Sequence, residues 1–198
     1  MNAETQMDRA GLRFAELTQR HFAFIEAQGF QRVRGEPTFV RFESPALFLN
    51  IYHGRSSFEI GAELGRLGNE NDEKQPYPMS ALLGAAGVPT AKEYRDYATH
   101  TPDGVDEGLA KLAKLFRDHV SQNLHNADLF RVLKEQRRAW AEDFAQEVNL
   151  RQTRRKLDSA WHAKDYAKVV ELLNPWRDAL TPTELHKLEY AEKHARES

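Results

Sequence analysis

The sequence predicts an α+β fold: a three- or four-stranded antiparallel β-meander packed by an N-terminal helix, followed by an all-helical C-terminal region ending in a helical hairpin. Two observations predict it. Between Pro37 and Leu64, apolar and polar residues alternate with period two across two turn signals. Elsewhere, apolar residues recur at spacings of three and four, the signature of amphipathic helices. Residues 1–125 read as one α+β domain, and residues 126–198 as a helical region packed on it.

The meander is read from its turns. Ser44-Pro45 and His53-Gly54-Arg55 punctuate three strands, because Pro pre-sets φ for a turn and Gly tolerates positive φ. Phe30–Arg34 reads as a fourth, edge strand, with Gly35 turning into Pro37. Successive strand residues point to opposite faces. One face collects Thr38, Val40, Phe42, Leu47, Leu49, Ile51, Phe58, Ile60 and Ala62, and is the predicted buried face. The other collects Phe39, Arg41, Phe48, Asn50, Tyr52, Ser57, Glu59 and Glu63. The sorting requires an even-length connection at Gly54, since an odd one flips the last strand.

Glu4–Gln28 reads as a helix with Met7, Ala10, Phe14, Leu17, His21, Phe24 and Gln28 in one stripe and Gly29 at its C-terminal cap. His21, inside that stripe, reads as a hydrogen-bonded core histidine. Gly65–Pro78 is polar and acidic and reads as a solvated loop. Met79–Ala86 is a short helix stopped by Gly87. Thr90-Ala91-Lys92-Glu93 has the form of a capping box opening a helix to His100. Thr101-Pro102 opens another, carrying Val105, Leu109, Leu112, Phe116 and Leu124.

Asn126 or Asp128 starts the longest pattern, with Leu129, Leu133, Trp140, Phe144 and Val148, and no Gly or Pro interrupts it before His162. Two further helices follow, over Asp165–Leu173 and from the capping box Thr181-Pro182-Thr183-Glu184. The fragment around Trp161, Tyr166-Ala167, Leu173 and Pro175 is similar to part of a tetratricopeptide helix pair over one repeat. Repeat stacking needs about three units, so a helical hairpin is the expectation.

Composition narrows the function. Charged residues make up 29% of the 198 and the net charge is -2, which argues against a dedicated nucleic-acid binder. The basic run Arg151, Arg154, Arg155 and Lys156 is read as a solvated helix face. With no cysteine, there is no disulfide, thiolate metal site or cysteine nucleophile. The start, Met1-Asn2-Ala3-Glu4, has neither basic nor apolar leader character, and no apolar run approaches the roughly 20 residues that cross a bilayer. A cytoplasmic protein is expected.

No catalytic motif stands out. There is no Gly-x-Ser-x-Gly and no phosphate-cradling glycine loop, and no histidine pair has metal-ligand spacing. No catalytic residue, cofactor or metal is therefore predicted. The candidate surface is the mixed sheet face: Phe39, Arg41, Phe48, Asn50, Tyr52, Ser57 and Glu59. Aromatics beside Arg are what interface cores favour, so a protein partner is the expectation. The alternative is a small-ligand binder or enzyme using Arg41, Asn50, Tyr52 and Glu59.

Phe39-Val40-Arg41-Phe42-Glu43-Ser44-Pro45, Asn50-Ile51-Tyr52-His53 and Ser57-Phe58-Glu59-Ile60-Gly61 resemble segments of a family of bacterial proteins of this length with no known activity. The tail, with Asp165-Tyr166-Ala167 and Lys187-Leu188-Glu189-Tyr190-Ala191, is similar too. The architecture also resembles that of immunity proteins that neutralise polymorphic toxins. That resemblance implies a protein partner.

Overall fold

Period-two alternation builds the sheet. The computed structural model describes residues 9–126 and 128–195. The chain divides into two units, Met1–Gln136 and Arg137–Ser198.

In the first unit, strands β1 (Gln31–Glu36), β2 (Phe39–Glu43), β3 (Leu47–His53) and β4 (Glu59–Arg66) form an antiparallel meander. Two short strands add to β4: β5 (Tyr77–Pro78) at Glu63-Leu64, and β6 (Tyr97–Ala98) at Glu59-Ile60. His53 pairs with Ile60, so the intervening connection is even and the predicted sorting holds. Val40, Phe42, Leu47, Leu49, Ile51, Ile60 and Ala62 are all buried. Thr38 and Phe58 are not part of that layer: Thr38 lies in the turn before β2, Phe58 in the connection just before β4, and both are half-buried. Phe58 adopts φ 56°, and its ring lies under the Arg9 guanidinium at 4.3 Å.

Helices α1 (Phe14–Phe22), α3 (Met79–Ala85) and α4 (Pro102–Leu115) cover the apolar face. Phe22 links the layers, 6.5 Å from the Phe42 ring and 6.1 Å from Phe116. His21 is half-buried on the same helix and bonds to Asp106 of α4.

Three local expectations need correction. The N-terminal helix is not continuous. Arg13 takes a left-handed φ of 52° and splits a 3-10 turn at Arg9–Leu12 from α1, and the chain tightens to 3-10 over Ala23–Gln28 before Gly29 caps it at φ 84°. Its expected residues Glu4 and Met7 lie outside the described residues. The Gly65–Pro78 segment is not a bare loop. It holds the end of β4, helix α2 (Glu70–Lys74) and β5. Asn69 caps α2 by accepting from the Asp72 N–H, and the buried Asp72 carboxylate receives the Arg66 guanidinium at 2.6 Å. Thr90 opens only a 3-10 turn, Ala91–Glu93, because residues 97–98 pair with β4 instead of continuing a helix.

Other starts are as read. Thr101 accepts from the Gly104 N–H with Pro102 in the first turn of α4. Helix α5 spans Leu129–His162. Its Leu129, Phe130 and Leu133 belong to the core of the first unit, which extends to Gln136. No residue from 134 to 156 is buried. Trp140 and Phe144, expected in an apolar stripe, are 69% and 55% exposed and stack on each other at 5.7 Å. Ion pairs one turn apart, Arg138–Glu142 and Glu147–Arg151, support the helix there.

The second unit has its own core: Leu157 and Ala160 of α5, Val169 and Leu173 of α6 (Tyr166–Leu173), and Leu188 and Ala191 of α7 (Pro182–His194). Asp165 caps α6, and Thr181 with Glu184 forms the predicted capping box of α7. Arg154 reaches Glu184 at 2.6 Å, tying α5 to α7. No described helix is long and apolar enough to cross a membrane.

Glu184 gives this unit an acid-sensitive clamp. Hydrogen bonding from Arg154, then from Thr181, pulls its carboxyl down to about 2 against the opposing effect of burial. A depressed folded-state value stabilises the fold above the ordinary carboxylate range, and that stability is lost as pH falls through it. All three tryptophans lie in the second unit, so their fluorescence reports its unfolding. The stability gap between wild type and Glu184→Gln should close as pH falls from 4.5 to about 2. A gap independent of pH would contradict this account.

Candidate functional site

Strand register sets which side chains share the mixed face. Arg41, Asn50 and Glu63 form one row across β2, β3 and β4. Phe39, Tyr52 and Gly61 form the next, and Glu43, Phe48 and Gly65 the third. In both outer rows an aromatic side chain on β3 meets a glycine on β4. A Cβ at Gly61 would sit 2.3 Å from the Tyr52 ring, and one at Gly65 would sit 2.4 Å from the Phe48 ring. Glycine in a strand interior commonly marks such a close approach.

The face divides into two halves. Around Phe48 it is closed. Phe48 is fully buried, lying over Gly65 with the Arg41 guanidinium 4.1 Å above its ring. Arg41 in turn bonds Glu43 at 2.7 Å and Glu73 of α2 at 3.1 Å. Phe48 is therefore not an exposed anchor, and Arg41 is committed to two carboxylates. The sequence pattern missed this because α2, which supplies Glu73 and Asp72, read as loop.

Around Tyr52 the face stays partly accessible. Phe39, Tyr52 and Glu63 are half-buried there, joined by Tyr94 and Asp96 from the segment before β6. The Tyr52 hydroxyl donates to Asp96 Oδ2 at 3.2 Å. That carboxylate also lies over Gly61, 2.8 Å from where a Cβ would be. Glu59 is exposed at the margin, and Ser57 lies in the preceding turn rather than in β4.

Asn50 connects the halves. It is 8% exposed, opposite Glu63, and its Oδ1 is buried without a hydrogen-bond partner. Burial pushes the Glu63 carboxyl up, outweighing a hydrogen bond from Asn50 that lowers it, and the charge on Asp96 adds to the rise. Burial also raises Asp96, opposed by hydrogen bonds from Tyr94 and Tyr52, with Glu59 adding to the rise. Burial, then Asp96, Glu63 and Glu59, push the Tyr52 phenol up, and burial followed by Asp96 does the same for Tyr94. Among the described residues, none of Glu59, Glu63 and Asp96 forms an ion pair. The adjacent Arg95 guanidinium is turned to the carbonyls of Lys92 and Tyr94.

Of the seven candidate residues, Phe39, Asn50, Tyr52 and Glu59 come together in this partly accessible half. Arg41 and Phe48 belong to the closed half, and Ser57 to the turn. Sequence reasoning missed Tyr94 and Asp96 altogether and did not single out Glu63. The available signal was Gly61, a glycine inside an alternating strand.

A cavity of about 830 Å³ lies elsewhere in the first unit, lined by residues that include Ser44, Leu47, Arg66, Asn69, His125 and Phe130. Among the described residues, no three His, Asp or Glu side chains are placed to hold a metal ion. In the basic run, Arg151 pairs with Glu147 and Arg154 with Glu184. No family model matches the chain, and no curated protein or solved structure matches it.

Two measurements check this geometry. Gly61→Ala should cost about 1–3 kcal/mol in denaturant unfolding by overpacking against Tyr52. Most of that cost should vanish in a Tyr52→Ala background; additive costs would contradict the contact. The second concerns pH. Carboxyls raised in the folded state bind protons more tightly than in the unfolded chain, so stability falls as pH rises from the ordinary to the raised values. Glu63→Gln with Asp96→Asn should remove that fall and be more stable than wild type at neutral pH. A double variant less stable than wild type at pH 7 would refute it.

Proposed function

We propose that the protein is a non-enzymatic cytosolic binding protein that docks a protein partner on the Tyr52 half of its mixed sheet face. The observation that carries the reading is the grouping of half-buried aromatics, Phe39, Tyr52 and Tyr94, around carboxylates that no described cation neutralises. Tyrosine-rich patches with a few fixed polar groups are the usual centres of binding surfaces. In the immunity-type form of this reading, the partner is a toxin that loses its activity when bound.

A second reading, a small-ligand binder or enzyme, is favoured by one observation. Two carboxyls with raised values beside two tyrosines are a common mark of a working site. Two of the groups first considered for chemistry do not support it: Arg41 is held by Glu43 and Glu73, and Glu59 lies at the exposed margin.

The test is capture on the immobilised full chain, followed by binding measurements with the identified partner. Tyr52→Ala should weaken binding at least about tenfold, the loss typical of a central anchor. Val33→Ala, an exposed position on edge strand β1, should leave affinity unchanged. Retention of full affinity by Tyr52→Ala would refute the reading.

A further inference from the structure

Resting on that reading, we infer that the Tyr52 half of the face receives a cationic side chain, Lys or Arg, presented by the partner protein. Charge balance is the first argument. Every other carboxylate projecting from this face has a cation: Glu36 has Arg34, and Glu43 and Glu73 share Arg41. Glu59, Glu63 and Asp96 have none among the described residues, although the charge of Asp96 raises Glu63, that of Glu59 raises Asp96, and all three raise Tyr52.

Asn50 supplies the second, independent argument. It is more than nine-tenths buried and lies directly opposite Glu63 in the sheet. The oxygen of the same amide, Oδ1, has no donor. A buried acceptor left unpaired costs free energy, and its unneutralised dipole adds negative potential to the carboxylates beside it. The site is thus rich in acceptors and short of donors. Ammonium and guanidinium groups are donor-only and positively charged, which is the complementary chemistry.

The third argument is aromatic. The Phe39 and Tyr52 side chains share a row, and Tyr94 lies half-buried two residues before Asp96, the carboxylate that Tyr52 bonds. Cations are attracted to such ring faces, and this sheet already uses that contact twice, with Arg34 5.0 Å from the Phe39 ring centre and Arg41 over Phe48. Docking therefore places the cation against Glu63 and Asp96 with its stem along the Tyr52 ring. Oδ1 of Asn50 is sealed by its neighbours, so the incoming group acts on it first through the field and bonds to it only if the amide turns.

The experiment uses the full chain and capped amino acids as probes, followed by nitrogen-resolved NMR. N-acetyl-lysine amide and N-acetyl-arginine amide should shift the Asn50 side-chain amide and the backbone signals of Tyr52, Gly61 and Asp96. The uncharged mimics, N-acetyl-norleucine amide and N-acetyl-citrulline amide, should bind at least about tenfold more weakly, because they lack the charge. Glu63→Gln with Asp96→Asn should abolish the difference, whereas Glu16→Gln, on helix α1, should preserve it. Equal shifts from charged and uncharged probes would overturn the proposal. So would shifts that map to other residues. If the probes fail while Tyr52→Ala still releases a captured partner, the cation assignment falls and the docking surface stands. If Tyr52→Ala releases nothing while the probes bind as expected, the docking reading falls and a cation site remains.

Discussion

Strand β3 constrains everything else in the first unit. It is bonded along its length to β2 on one side and β4 on the other, so its odd and even side chains are forced to opposite faces. Leu47, Leu49 and Ile51 enter the core, while Phe48, Asn50 and Tyr52 enter the mixed face. The two faces cannot be tuned separately. A one-residue slip would bury Asn50 among Phe22 and Phe42 and push Leu49 toward the carboxylates, so the strongly apolar core fixes the register that builds the candidate site.

On the mixed face, two similar devices have opposite outcomes. Phe48 over Gly65 is roofed by Arg41 and α2, and every charge there finds a partner. Tyr52 over Gly61 is not roofed, and Asp96 beside it accepts from the Tyr52 hydroxyl rather than pairing with a described cation. Partial burial without ion pairing raises carboxyl values and weakens the fold at neutral pH. Such a cost is common where a surface is shaped for a partner rather than for stability.

Much of this was legible in the sequence, for physical reasons. Alternation from Val40 to Ala62 reported the buried face because the chain turns twice with even connections, and the capping residues Thr101 and Thr181 announced α4 and α7. What was hidden depended on contacts distant in sequence. Phe48 is buried by α2, whose helical state rests on Asn69 and on Arg66 binding Asp72 within a stretch otherwise composed like a loop. Asp96 reaches Tyr52 because residues 97–98 join β4, a pairing that overrides the capping signal at Thr90. Trp140 and Phe144 matched a helical stripe but have no buried neighbour on their helix from 134 to 156, and periodicity alone carries no information about what packs against a stripe.

Everything above requires Glu63 and Asp96 to be half-buried near one another with no cation among the described residues paired to either. Direct titration of their side-chain carboxyl carbons by NMR in the isolated full chain tests it. Both should titrate above the ordinary carboxylate range, and addition of a lysine- or arginine-bearing partner should bring both down. If either carboxyl titrates at or below its ordinary value in the isolated protein, a cation already compensates the site and the account is contradicted.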